Sequence, residues 1–212
     1  MARVLIIRMS SFGDVAMLVP AVYSVAARYP QDRFVVLTRK AFAPLFENIG
    51  FNISAKSFDP HRHAGFYGLL KLTFSVSKGG YSHVADMHDV LRSKFIRIWM
   101  RLRGKRVGHI DKGRDEKNDF IAHKTLDVPL KHVTLRYMDV LEKIGFPAEI
   151  SFTNYFEFKE RSLYSLRTVA KEKTGHWIGL APFAKHEGKI YPLQKTENIV
   201  AALSANPHNQ IF

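Results

Sequence analysis

Four consecutive apolar residues, Val4-Leu5-Ile6-Ile7, open the hydrophobic pattern, and it breaks at Ser10-Ser11-Phe12-Gly13. A short apolar run closed by small polar residues predicts a buried strand followed by a turn. From Asp14 to residue 28 the period changes. Val15, Leu18, Val19, Val22 and Val25 recur at helical intervals and form a core face against a sheet. Pro20 lies inside this segment and is expected to kink the helix or delay its regular part. Residues 33–38, RFVVLT, predict a second strand, with a short helix near 41–46 stopped at Gly50, and a third, weaker strand fits 51–57.

The alternation continues. The turn Asp59-Pro60-His61-Arg62-His63 leads into a helix carrying Phe66, Leu69, Leu70, Leu72 and Phe74. Residues 82–86 read as a fourth strand, Met87-His88-Asp89 as its turn, and the next helix carries Leu91, Phe95, Ile98, Trp99 and Leu102. A short strand is expected over 104–108, and a long polar loop without periodicity over 111–130. A helix opens at His132 and ends at Gly145, with an extended connector over 146–158 and a helix near 159–173. Residues 177–182 predict a new buried strand. A helix with Ile199, Val200 and Leu203 follows, and another strand begins at 209. Strands alternating with helices define an α/β protein with a Rossmann-like parallel sheet flanked by helices. The new strand sets the expected division: a first domain with its connector over 1–172, and the start of a second over 173–212.

With 212 residues, 46% of them hydrophobic, the chain can bury a sizeable core, and its lack of cysteine excludes disulfides, thiolate metal sites and a cysteine nucleophile. The apolar core of MARVLIIRMSS is too short for a signal peptide, and no window is long enough for a membrane span. The formal charge of +13 points to a polyanionic partner: nucleic acid, an anionic lipid surface or a phosphorylated glycan. A soluble basic surface is the plainer alternative. The basic residues concentrate over 92–117, where Arg97 and Arg101, four apart on one helix, repel one another unless an anion lies between them. His61 and His63 are two apart, not the i, i+4 spacing of a helical metal site, and no metal is expected.

The end of the first strand is the candidate site, because in an open α/β sheet ligands sit at the carboxyl ends of strands. Asp14 reads two ways there. As an acid in the first helical turn it satisfies N–H groups; as a general base beside Gly13 it would take a proton from a substrate held close to the backbone. A helix terminus keeps such a carboxylate ionised and weakly basic, so substrate would have to exclude water to sharpen it. No G-x-G-x-x-G follows the strand, which argues against a dinucleotide-dependent dehydrogenase.

The stretch RVLIIRMSSFGDVAMLVPAV resembles the amino-terminal motif of the glycosyltransferase family that contains the lipopolysaccharide heptosyltransferases (glycosyltransferase family 9), through Ile7, Arg8, Ser10, Gly13, Asp14, Val15 and Pro20. The resemblance extends to Asp86, Arg92 and Ser93, to the strand between glycine turns at 104–108, and to His132 at a helix start. It reaches IGLAPFAKHEGKIYPL over 178–193, where Lys189, Tyr191 and Pro192 match, with Tyr where the family usually has Trp. It implies a GT-B fold of two facing Rossmann-like domains, the second incomplete here because the family's later donor motif is absent. It also implies an inverting transfer of heptose from an ADP-activated donor to a phosphorylated, lipid-linked inner-core acceptor. In that chemistry Asp14 is the base and Lys189 steadies the departing diphosphate, with Lys185 as a second donor-side lysine. Ser10, Ser11, Gly13, His61, Arg62, His88, Arg92 and His132 are the expected acceptor-side residues, with His132 open to a plain capping role. No cofactor or metal is implied, no nucleic acid is expected as partner, and the setting is the cytoplasmic face of the inner membrane. The contrasting reading is a non-catalytic basic module, or truncated remnant, that holds a polyanion.

Overall fold

Strand β1 (Arg3–Ile7) lies at the centre of a five-stranded parallel sheet in a computed structural model that describes residues 1–123, 129–155, 175–184 and 187–212. The other strands are β2 (Arg33–Arg39), β3 (Ile53–Phe58), β4 (His83–Asp86) and β5 (Arg106–His109), in the order β3-β2-β1-β4-β5. Register is fixed by pairs such as Ile7 with Leu37 and Ile7 with Asp86. The order reverses at β1, so the crevice between the carboxyl ends of β1 and β4 is the topological switch point.

Both faces of the sheet are covered, which is why β1 reads as an unbroken apolar run. Val4 and Ile6 pack into one core layer with Val22, Val25, Tyr137 and Leu141. Leu5 and Ile7 pack into the other with Leu72, Val76, Ile96 and Met100. Each such side chain, wholly removed from water, contributes about 1.5–3 kcal/mol. The first layer is supplied by α2 (Val19–Arg28) and α6 (Val133–Lys143), the second by α3 (Gly65–Ser77) and α4 (Leu91–Leu102).

The segment after β1 is two helices rather than one. A short helix α1 (Phe12–Ala16) ends at Met17, and Pro20 then sits in the first turn of α2, where a missing N–H costs nothing. The expected helix near 41–46 is a 3₁₀ helix, Lys40–Phe46, with Pro44 inside it. The stretch read as a structureless loop over 111–130 contains helix α5 (Arg114–His123). Its polar composition gives it no apolar stripe, and sequence periodicity has nothing to detect there.

These elements belong to the first of two units, Met1–Glu160; the second is Arg161–Phe212. In the second, β6 (His176–Ile178) pairs in parallel with β7 (Asn209–Ile211) across helix α7 (Leu193–Ser204), a βαβ unit. Strand β6 is shorter than expected, and Pro192 is the N-cap of α7. The helix expected over 159–173 lies outside the described residues.

Candidate active site

The chain leaves β1 through Arg8, a buried cation whose backbone N–H still bonds the Leu37 carbonyl of β2. Its guanidinium donates to the Met87 carbonyl at the end of β4 (2.6 Å) and pairs with the Asp14 carboxylate (2.5 Å). The switch-point crevice is therefore bridged by one side chain. Ser11 completes the frame: its hydroxyl donates to Asp14 Oδ2 at 2.8 Å and its backbone N–H at 3.3 Å.

Asp14 keeps 40% of its side chain exposed. Burial pushes its carboxyl pKa up, but the Ser11 hydroxyl and the Arg8 charge outweigh this and hold it below the ordinary aspartate value. The result is an ionised carboxylate open on one side to the crevice. A Cβ added at neighbouring Gly13 would meet nothing within 4 Å, so this glycine faces open space next to the acid. Both readings of Asp14 coexist: it caps α1 through Ser11 and it presents a free edge.

Across the crevice, Ser10 Oγ lies 3.4 Å from His88 Nε2. Burial, with help from Arg8, Lys112 and Arg39, lowers the His88 pKa to about 4, so the ring is neutral near pH 7. Its Nδ1 is buried without a hydrogen-bond partner, as is Arg8 Nε.

The turn after β4 is organised by Asp86, which is fully buried. It accepts the backbone N–H groups of His88 and Asp89 and the Arg97 guanidinium at 3.2 Å. Arg97 also pairs with Asp89 at 2.8 Å, and Lys112 donates to the Asp89 carbonyl. The anion that relieves Arg97 is thus supplied by the protein's own carboxylates.

The remaining acceptor-side candidates are placed differently. Asp59 folds the 59–63 turn by accepting the N–H groups of His61 and Arg62, whose side chains are exposed. Arg92 lies over the Phe58 ring at 4.9 Å and donates to the His63 carbonyl, so it fastens this turn to α4. His132 is the N-cap of α6, its Nδ1 accepting the Thr134 N–H. Lys189 ends an exposed 3₁₀ turn, Glu187–Lys189, in the second unit. Lys185 lies outside the described residues.

Sequence reasoning missed the roles of Arg8, Arg39, Lys112 and Tyr137. For Arg8 a signal existed, since a cation directly after a buried strand needs a partner. Tyr137 gave none: its hydroxyl donates to the Asp14 carbonyl and Thr134 Oγ1 to the Met17 carbonyl, so α6 holds α1 from far along the chain. A cavity of about 610 Å³ beside Tyr23, Asn48 and Ile53 lies at the amino ends of the strands, away from this chemistry.

A doubly covered parallel sheet with an ionised acid at its switch point, followed by a second βαβ unit, has the fold of the GT-B glycosyltransferases. The particular likeness is to heptosyltransferases. The E. coli heptosyltransferase WaaC with ADP is 17% identical (TM-score 0.67), covering 99% of this chain and 66% of that one. The E. coli ADP-heptose lps heptosyltransferase II is 16% identical (TM-score 0.68, 99% and 63%). A family 9 glycosyl transferase from Veillonella parvula is also 16% identical (TM-score 0.68, 100% and 62%). The chain thus spans less than two thirds, or about that share, of the length of these proteins. No family model and no curated protein sequence matches it.

Proposed function

We propose that this chain serves an inverting glycosyl transfer, moving heptose from an ADP-activated donor to a phosphorylated, lipopolysaccharide inner-core-type acceptor at the cytoplasmic membrane surface. The observation that carries this reading is Asp14: an ionised carboxylate, clamped by Arg8 and Ser11, with one edge free beside an uncrowded glycine. Its support is the fold shared with heptosyltransferases, together with the resemblance of the sequence around the acid to that family's amino-terminal motif.

In this chemistry the acceptor hydroxyl attacks the anomeric carbon from the face opposite the diphosphate. The new C–O bond forms as the bond to the nucleotide breaks, the hydroxyl proton passes to Asp14, and the electron pair leaves on the diphosphate. A carboxylate of low basicity takes that proton only late, once the attacking oxygen has become acidic, and a placed base accelerates such a step about 10²- to 10⁴-fold. Lys189 is assigned to the leaving diphosphate, with Lys185 as its neighbour on the donor side. Acceptor binding is assigned to Ser10, Ser11, Gly13, His61, Arg62, His88, Arg92 and His132.

The test is incubation with ADP-heptose and a phosphorylated, lipid-linked inner-core acceptor, with the product weighed by mass spectrometry. Asp14→Asn is expected to lower transfer about 10²-fold or more while polyanion binding stays level or rises slightly. Undiminished transfer by this variant removes Asp14 from the role. No transfer by the native chain, with the acceptor still bound, favours the second reading of a basic binding module, for which the exposed Arg101 and Arg103 are the supporting observation.

A further inference from the structure

Helices α3 and α4 pack side by side on one face of the sheet, and their outer surface is apolar. On α3, Phe66, Tyr67 and Phe74 are exposed, and on α4 so are Leu91, Ile98 and Leu102, with Tyr67 and Leu91 at 85% and Leu102 at 80%. The spacing of Leu91, Ile98 and Leu102 makes one stripe along α4, while Ser93, Ile96 and Met100 turn inward to the core. Ring contacts join the helices: Phe66 meets Phe95 at 6.5 Å, and Phe74 meets Trp99 at 5.4 Å. The apolar surface is therefore continuous across both helices. Patches of this kind on a folded chain mark an interaction surface.

Charge selects the occupant. No acidic residue occurs between Asp59 and Asp86, or from Val90 to Ile110. Asp86 and Asp89 are taken by Arg97 in the turn before α4. Lys71, Lys94 and Arg101 lie on these helices, and Arg103 and Lys105 directly follow. A second copy of this face would set like charge against like. A nucleic acid would suit the cations but offers exposed leucine and isoleucine no apolar phase. An anionic lipid surface suits both, taking aromatic and aliphatic side chains into the headgroup boundary while phosphates meet the cations.

We propose that the α3–α4 face is a docking surface for an anionic lipid bilayer. Both helices begin at the carboxyl edge of the sheet, α3 after β3 and α4 after β4, so Phe66, Tyr67 and Leu91 lie at the same edge as the Asp14 crevice. Docking this face would bring that edge to the membrane, where a lipid-linked acceptor presents its sugars. The inference rests on the proposed transfer for its setting, and vesicle binding itself is measured without donor or acceptor.

The experiment is sedimentation of the full chain with phosphatidylcholine vesicles, with and without phosphatidylglycerol. Binding is expected only to the vesicles containing phosphatidylglycerol, and it should weaken as salt rises. The combined variant Leu91→Gln, Ile98→Gln, Leu102→Gln should lose roughly tenfold or more in vesicle affinity. Lys71→Gln and Arg101→Gln should each lose about fivefold. These side chains are exposed, so circular dichroism and thermal unfolding of the variants should match the native chain.

No binding to phosphatidylglycerol vesicles overturns the proposal, as does binding that the apolar variant leaves intact. Preference for a short nucleic-acid duplex, lost in the same apolar variant, overturns it in favour of nucleic acid. A dimer that this variant dissolves assigns the face to self-association instead. Transfer to a delipidated acceptor without vesicle binding sinks the docking surface alone; vesicle binding by a chain that transfers no sugar sinks only the reaction.

Discussion

The Arg8 guanidinium lies 2.5 Å from the Asp14 carboxylate while donating to the Met87 carbonyl, so a single cation ties the candidate base to the ends of both β1 and β4. Removing it as Arg8→Gln leaves burial free to raise the Asp14 pKa. The Asp14 titration, followed by carboxyl-carbon NMR, should move upward, and Arg8→Lys should restore part of the shift. The linkage has a definite sign. A folded-state pKa below the unfolded value means that Asp14 adds stability above about pH 4, and that this is lost as the pH falls through its folded pKa. In Arg8→Gln that contribution should be smaller and its loss complete at a higher pH.

Arg97 is an internal counter-ion, serving buried Asp86 at 3.2 Å and Asp89 at 2.8 Å. Arg97→Met should destabilise the first unit by about 3–5 kcal/mol, because it leaves a buried charge unpaired. Urea unfolding measures this directly. Polyanion affinity, in contrast, should change less than for exposed Arg101→Gln when compared at temperatures where both variants stay folded.

His88 makes stability depend on pH in a different window. Its folded pKa of about 4 lies below the ordinary value of 6.5. Between these values the unfolded chain binds the additional proton, so stability falls as pH drops from about 6.5 towards 4. Allowing for its partial exposure, the loss should amount to roughly 1–3 kcal/mol. Unfolding measured at pH 7 and pH 4.5 should show this difference, and His88→Asn should reduce it.

Tyr137 reaches from α6 to the Asp14 carbonyl at 3.2 Å, and burial pushes its hydroxyl pKa up to about 12. Tyr137→Phe keeps the ring packing and deletes one hydrogen bond, for a cost of about 0.5–1.5 kcal/mol. Since the lost bond positions the backbone of the candidate base, transfer should fall more in kcat than in KM. An unchanged kcat would leave Tyr137 a purely structural residue.

The sequence alone was enough to define the order of the strands and of the helices with an apolar stripe, because their periods are local. Two-sided burial writes β1 as an unbroken apolar run, and helical spacing writes α2 and α6 as stripes. It also marked Asp14, through the polar turn that follows a buried strand. It missed α5, a helix with no apolar stripe, and it could not separate the two apolar faces of α4. Tertiary structure decided those matters, turning Ile96 and Met100 inward and leaving Leu91, Ile98 and Leu102 outside. It decided the state of Asp14 as well. The β4 carbonyl that anchors Arg8 comes from Met87, and the hydroxyl that fixes the Asp14 carbonyl comes from Tyr137. Side chains far apart along the chain leave no local period to read, and only the packing of the sheet brings their charges and donors to one crevice.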